Sequence, residues 1–214
     1  MSRSPVLSDP GVLWASLAAF LASLVLALVA RGLAGDEEAL HYLMGRYAPS
    51  QPELFLRTSG RPLVTLALAL PAQAGFLAAR LSAALVTALG ALALARLSRA
   101  TGWLTPLWFV AFLFLQPFFT AHAATAMTEP YAAALVAWGL LAFVERRWLV
   151  LAVVAALMPL ARMESRAFWP FVLAALIHAR AWRFALLLPL PLLIWNLLGS
   201  LSNGDLLWLL HQSN

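Results

Sequence analysis

Residues 11–30 run for 20 positions without a charged side chain, and apolar runs of the same kind recur as far as residue 198. A helix of that length rises about 30 Å, the thickness of a bilayer's hydrocarbon core. This feature excludes most folds, because so many long apolar helices cannot bury one another in water. Hydrophobic residues make up 63% of the 214-residue chain and charged residues 11%, against roughly 25% charged in soluble domains. The solvent is therefore lipid. The first run is too long for a signal-peptide core and no cleavage site follows it, so it reads as a retained helix. There is no cysteine, which excludes disulfides, zinc-thiolate sites and cysteine nucleophiles. All 14 basic residues are arginine, giving a net charge of +5. They stand in ones and twos between apolar runs, the pattern of a topology signal and not of a nucleic-acid patch.

The runs predict an all-α polytopic membrane helix bundle of about seven transmembrane helices, in one transmembrane domain over 1–214. The spans fall at 11–30, 74–95, 104–119, 130–144, 148–161, 166–179 and 184–200. Residues 62–70, closed by Pro71, read as a re-entrant piece. Residues 31–61 form the first extracytoplasmic loop, broken by Pro49, Pro52 and Gly60. Within it Leu40, Leu43, Met44 and Tyr47 recur at helical spacing, which predicts an amphipathic helix lying on the membrane. With the N-terminus cytoplasmic, the inner turns hold Arg96, Arg99, Arg146, Arg147, Arg180 and Arg183, with Glu145 as their one acid. Seven of the nine acids collect in the outer turns. This sorting obeys the positive-inside rule and places the chain as a multi-pass protein of a prokaryotic inner or plasma membrane. No internal repeat is evident, which weighs against an inverted-repeat transporter.

Three outer-face groups carry candidate chemistry. Gly35-Asp36-Glu37-Glu38 follows the first helix. Adjacent carboxylates repel one another, which raises a pKa toward base duty; the alternative is a solvated helix start, where acids favour the dipole. Thr128-Glu129-Pro130 reads either as a helix N-terminus capped by Thr128 or as an acid at the mouth of a span, with His122 on the same side. Arg162-Met163-Glu164-Ser165-Arg166 sets two arginines at i, i+4 on the outer face, against the charge sorting. They fit a phosphate, or a salt bridge to Glu129 or Glu164. Arg57 and Arg61 pose the same choice. Asn203-Gly204-Asp205 is a turn signal. His41 and His211 read as surface groups, and no metal-ligand set emerges.

In order along the chain, these pieces resemble a GT-C superfamily glycosyltransferase, polyprenyl-phosphate-sugar dependent and mannosyltransferase-like. The resemblance rests on Asp36-Glu37 after the first helix, a long outer loop, Gly60-Arg61-Pro62, Ala79-Arg80-Leu81, Gln116-Pro117, Ala126-Met127-Thr128-Glu129-Pro130, Pro159-Leu160-Ala161-Arg162-Met163-Glu164 and Asn203-Gly204-Asp205-Leu206. It covers nearly the whole chain and corresponds to the family's N-terminal conserved transmembrane module. It implies an inverting transfer of sugar from a polyprenyl-phosphate donor to an acceptor on the extracytoplasmic face. Asp36 is then the base with Glu37 as neighbour or stand-in, and Glu129, Arg61, Arg162, Glu164, Arg166 and His122 line the substrate site. A divalent cation, Mg²⁺ or Mn²⁺, shared by Asp36 and Glu37 is compatible with the resemblance but not required by the residues. The implied partners are the donor lipid, the bilayer and a protein partner if the chain serves a larger complex; nucleic acid is not among them. The competing classes are a non-catalytic scaffold subunit and a small transporter. The transporter is disfavoured because most charges lie at span ends.

Overall fold

The computed structural model describes residues 9–30, 32 and 34–212. Among them it is all-α, with no strand. The helices are α1 (Pro10–Val29), α2 (Asp36–Tyr47), α3 (Pro62–Ala69), α4 (Phe76–Thr101), α5 (Pro106–Phe114), α6 (Pro117–His122), α7 (Glu129–Val144), α8 (Trp148–Ala161), α9 (Trp169–His178), α10 (Leu190–Asn203) and α11 (Trp208–Gln212). Short 3₁₀ turns at Pro52–Phe55, Pro71–Ala74, Met163–Phe168 and Trp182–Leu187 join them. Proline occupies the first two positions of α1, α3, α5, α6, α7, α9 and α10. There the missing N–H costs nothing and the fixed φ suits the helix, so a proline-rich chain stays helical. Asp9 caps α1 by accepting from the Gly11 N–H at 2.8 Å. Gly102 and Gly204, in left-handed conformation, end α4 and α10.

The core is built from small residues. Val12, Ala15 and Ala19 of α1 pack on Ala91 and Ala95 of α4, and Ala93 and Leu97 of α4 on Ala137 and Leu141 of α7. A Cβ at Gly90 would lie 3.0 Å from the Ala134 Cα. In lipid, helices associate through such close backbone approach, not by excluding water. The outward faces carry Trp14, Leu17, Leu21, Val25 and Leu28. Arg99 to Asp9 (2.6 Å) and Arg96 to Glu145 (3.0 Å) join α4 to the start of α1 and the end of α7. One end of the bundle thus gathers the arginine turns. The opposite end carries α2, the start of α4, Glu129 and Arg162.

Among the described residues, three stretches are long and apolar enough to cross a membrane: Pro10–Val29, Phe76–Thr101 and Trp182–Asn203. Helices α7 and α8 are apolar but shorter. The expected span at 104–119 is not one helix. Pro117 cannot donate to a preceding carbonyl, and it forces Gln116 into extended geometry (ψ 114°), so α5 ends and α6 begins there. The nine residues of α5 rise only about 14 Å. The eight residues of α3 rise about 12 Å, too short to cross. Helix α2 forms where an amphipathic helix was expected, and Leu40, Leu43 and Tyr47 lie on its exposed side. Its buried side is Glu38, His41, Met44 and Gly45.

Candidate functional site

The site end is organised by one buried ion pair. Glu38 and Arg80 are 0% and 3% exposed. Glu38 Oε1 accepts from Arg80 Nε at 2.8 Å and Oε2 from Arg80 Nη2 at 2.7 Å. The same carboxylate accepts from the backbone N–H groups of Ala34 (2.8 Å) and Ala126 (3.1 Å). Arg80 also donates to the carbonyls of Ala30 and Gly32, and its guanidinium stacks 4.6 Å over the Phe76 ring. Five segments are tied at one point: the end of α1, α2, the segment joining them, the first turns of α4, and the strip before α7. Burial alone would raise the Glu38 pKa, but the hydrogen bonds from Arg80, Ala34 and Ala126 outweigh it and hold the carboxyl below its ordinary range.

One turn along α2, His41 is 4% exposed. This corrects the reading of His41 as a surface group. A helical residue can be buried when a distant carbonyl satisfies it: His41 Nδ1 lies 3.2 Å from the Gly60 oxygen. Thr65 Oγ1 donates to the same oxygen at 2.9 Å. A Cβ at Gly60 would come within 2.5 Å of Met44 Sδ and 2.8 Å of Thr65 Oγ1, so a larger residue there requires the Met44 or Thr65 side chain to shift. Arg61 follows with φ +56°, a conformation that costs a non-glycine residue of order 1–3 kcal/mol. Pro62 then opens α3. The Gly60-Arg61-Pro62 motif is thus a rigid bracket that aims Arg61. Burial lowers the His41 pKa, against the raising influence of the Gly60 carbonyl and of the Glu37 and Glu129 charges. Arg61 adds a smaller lowering push.

Arg162 caps α8 in extended geometry and donates to Glu129 at 2.7 Å. Glu164 stands 3.7 Å from Arg162 and 3.8 Å from Arg61, with its side chain 66% exposed. Its own backbone N–H lowers its pKa most; burial opposes this, and Arg61 and Arg162 lower it further. A pocket of about 250 Å³ between α6, α7 and the end of α8 is bordered by Glu129, Arg162, His122, Phe118, Phe119 and Pro130. Thr128 does not cap α7 with its side chain; its hydroxyl turns to Glu129 Oε2 at 3.3 Å.

Arg162 and Arg166 do not share an α-helical face, because residues Met163–Phe168 form a 3₁₀ turn. Arg166 is exposed and donates to the Met163 carbonyl at 3.0 Å. Asp36 is exposed on the first turn of α2. Glu37, also exposed, is the member of the pair whose charge acts on His41. Among the described residues no three His, Asp or Glu side chains converge as a metal-binding group. His211 is exposed and pairs with Asp205 at 2.6 Å, and Gly204 makes the expected turn.

The sequence reading names Glu38 only within the acidic run, Arg80 only within Ala79-Arg80-Leu81 and His41 only as a surface group. Positions 38, 41 and 45 share a helical face, but Glu, His and Gly there give no apolar signal that the face is buried. No family model matches the chain, and no curated protein or solved structure is detectably similar to it.

Proposed function

We propose that the chain is a membrane glycosyltransferase module that moves a sugar from a polyprenyl-phosphate donor to an acceptor hydroxyl. In this reading the end carrying α2 and Glu129 is extracytoplasmic, the N-terminus is cytoplasmic, and α5–α6, α7, α8 and α9 complete about seven crossings as short, tilted or mutually buried helices. The observation that carries the reading is the meeting of Arg61 and Arg162, from separate elements, on the exposed carboxylate of Glu164. Both contacts sit at the loose limit of pairing, so a phosphate can take the place of Glu164. A guanidinium prefers the bidentate grip a phosphate offers.

The chemistry then follows from placement. The acceptor oxygen attacks the anomeric carbon as the bond from that carbon to the phosphate oxygen breaks, with inversion. The carboxylate of the Asp36–Glu37 pair takes the acceptor's proton, and Glu37 is assigned that part because its charge acts on the buried His41. Arg61 and Arg162 stabilise the charge on the departing polyprenyl phosphate. Glu129 holds Arg162 in place and borders the pocket. Binding of polyprenyl phosphate to the detergent-solubilised chain tests this. Arg61→Ala and Arg162→Ala should each weaken it roughly ten- to hundredfold, as the loss of one charged hydrogen-bond donor of about 1.5–3 kcal/mol requires. Unchanged affinity in both variants, with melting temperatures unchanged, overturns the phosphate site.

A further inference from the structure

The three non-glycine residues with positive φ among the described residues are all arginines: Arg61, Arg146 and Arg180. Arg61 belongs to the site above. Arg146 and Arg180 lie at the other end, where the sequence repeats a local pattern, Glu145-Arg146-Arg147-Trp148 and Ala179-Arg180-Ala181-Trp182. The two turns are built alike. The Arg147 N–H returns to the Ala142 carbonyl and the Ala181 N–H to the Leu176 carbonyl, both at 2.8 Å. Each closes its helix with a left-handed residue where glycine is the unstrained choice. Arginine is kept at a conformational cost twice over. Orienting the chain in a membrane asks only for positive charge somewhere in the loop, and a neighbouring position would supply it without strain.

Arg146 also borders a groove of about 980 Å³ between α7, α8 and α9. The groove is apolar along Leu140, Phe171 and Val172, reaches Phe168 at one end, and ends in Arg146 and His178 at the other. Glu145 is already paired with Arg96 and Arg147. No carboxylate pairs with Arg146 or Arg180 among the described residues. The ten residues of α9 rise about 15 Å, half of a bilayer core and so the depth of one leaflet. Trp148, in the groove wall, is a residue type that marks headgroup depth.

We propose that this groove holds one anionic diacyl phospholipid of the leaflet on the arginine-turn side, with its phosphate on Arg146 and an acyl chain along α9. Charge complementarity selects the occupant: an apolar channel one leaflet deep ends in a cation that no protein acid neutralises. The site rests on the membrane reading but not on sugar transfer, and it lies at the opposite end from Glu37 and Arg61. It needs no activity for its test.

Native mass spectrometry of the full chain in mild detergent, titrated with phosphatidylglycerol or phosphatidylcholine of matched chains, reads the site directly. One phosphatidylglycerol should be retained per chain, in preference to phosphatidylcholine. Arg146→Gly removes charge while relieving the backbone, so the turn is not endangered, and it should lower retention roughly tenfold. Arg183→Gln removes the same charge from the same end, beyond the two turns, and should leave retention unchanged. Ala175→Phe fills the groove and should abolish retention with Arg146 intact. Equal retention of the two lipids, no loss in Arg146→Gly, or an equal loss in Arg183→Gln overturns the proposal.

Discussion

Glu38→Gln should damage the fold severely, because Glu38 is buried and anchors five segments. It keeps size and shape but removes the charge facing Arg80, which is 3% exposed. Two charge-assisted bonds of 2.7 and 2.8 Å lose their anion. The amide also turns an N–H₂ toward donors, since Ala34 and Ala126 present N–H groups to the same oxygens. Breaking a buried pair by removing one partner costs about 3–5 kcal/mol. Arg80→Met leaves the opposite defect, a buried carboxylate, which can be relieved by taking up a proton. Its deficit should shrink as pH falls, while that of Glu38→Gln should not. The double variant should be less damaged than the sum of the singles. In the wild type the lowered Glu38 pKa contributes stability above its ordinary 4.5 that is lost as pH falls through its folded value. Reversible unfolding in mixed micelles, followed by tryptophan fluorescence between pH 4 and pH 8, measures all three variants. A Glu38→Gln loss below about 1 kcal/mol, or additive singles, refutes the clamp.

His41 is held neutral, with a pKa below its ordinary 6.5. Its contribution to stability is therefore complete above 6.5 and declines as pH falls toward the folded value. His41→Gln should flatten that part of the stability–pH curve, as measured by melting temperature. Gly60→Ala forces a Cβ against Met44 Sδ and Thr65 Oγ1 and should cost about 1–3 kcal/mol, measured by the same unfolding assay. Met44→Ala in the same chain should return part of it. Arg162→Lys should recover only part of the polyprenyl-phosphate affinity lost in Arg162→Ala, because an ammonium lacks the planar two-point grip.

What could be read in the sequence follows from physical range. Length and hydropathy are local, so α1 and α4 were legible to within a few residues, except that α4 runs on past residue 95 to Thr101. There Arg96 and Arg99 stay helical because Glu145 and Asp9 pair with them. The break at Gln116-Pro117 was legible in the backbone rule for residues before proline, but hydropathy does not register it. The arginine at Arg80 was visible as a lone charge in an apolar helix, yet its partner lies 42 residues away. His41 needed the Gly60 carbonyl, 19 residues distant, to be buried. The i, i+4 reading of Arg162 and Arg166 failed because the helix ends at Ala161. The acid at Glu129 and the arginines at Arg61 and Arg162 were picked by charge alone, and the fold brings them to one end.

The central claim is that the acids and arginines at this end transfer a sugar from a polyprenyl phosphate, with Glu37 taking the proton. Liposomes holding the full chain, supplied with a radiolabelled polyprenyl-phosphate hexose and an acceptor glycan, measure it directly. The account predicts transfer by the wild type, a loss of at least about a hundredfold in turnover in Glu37→Gln with donor binding retained, and a smaller loss in Asp36→Asn. Full transfer by Glu37→Gln, with the variant folded as judged by its melting temperature, contradicts the account.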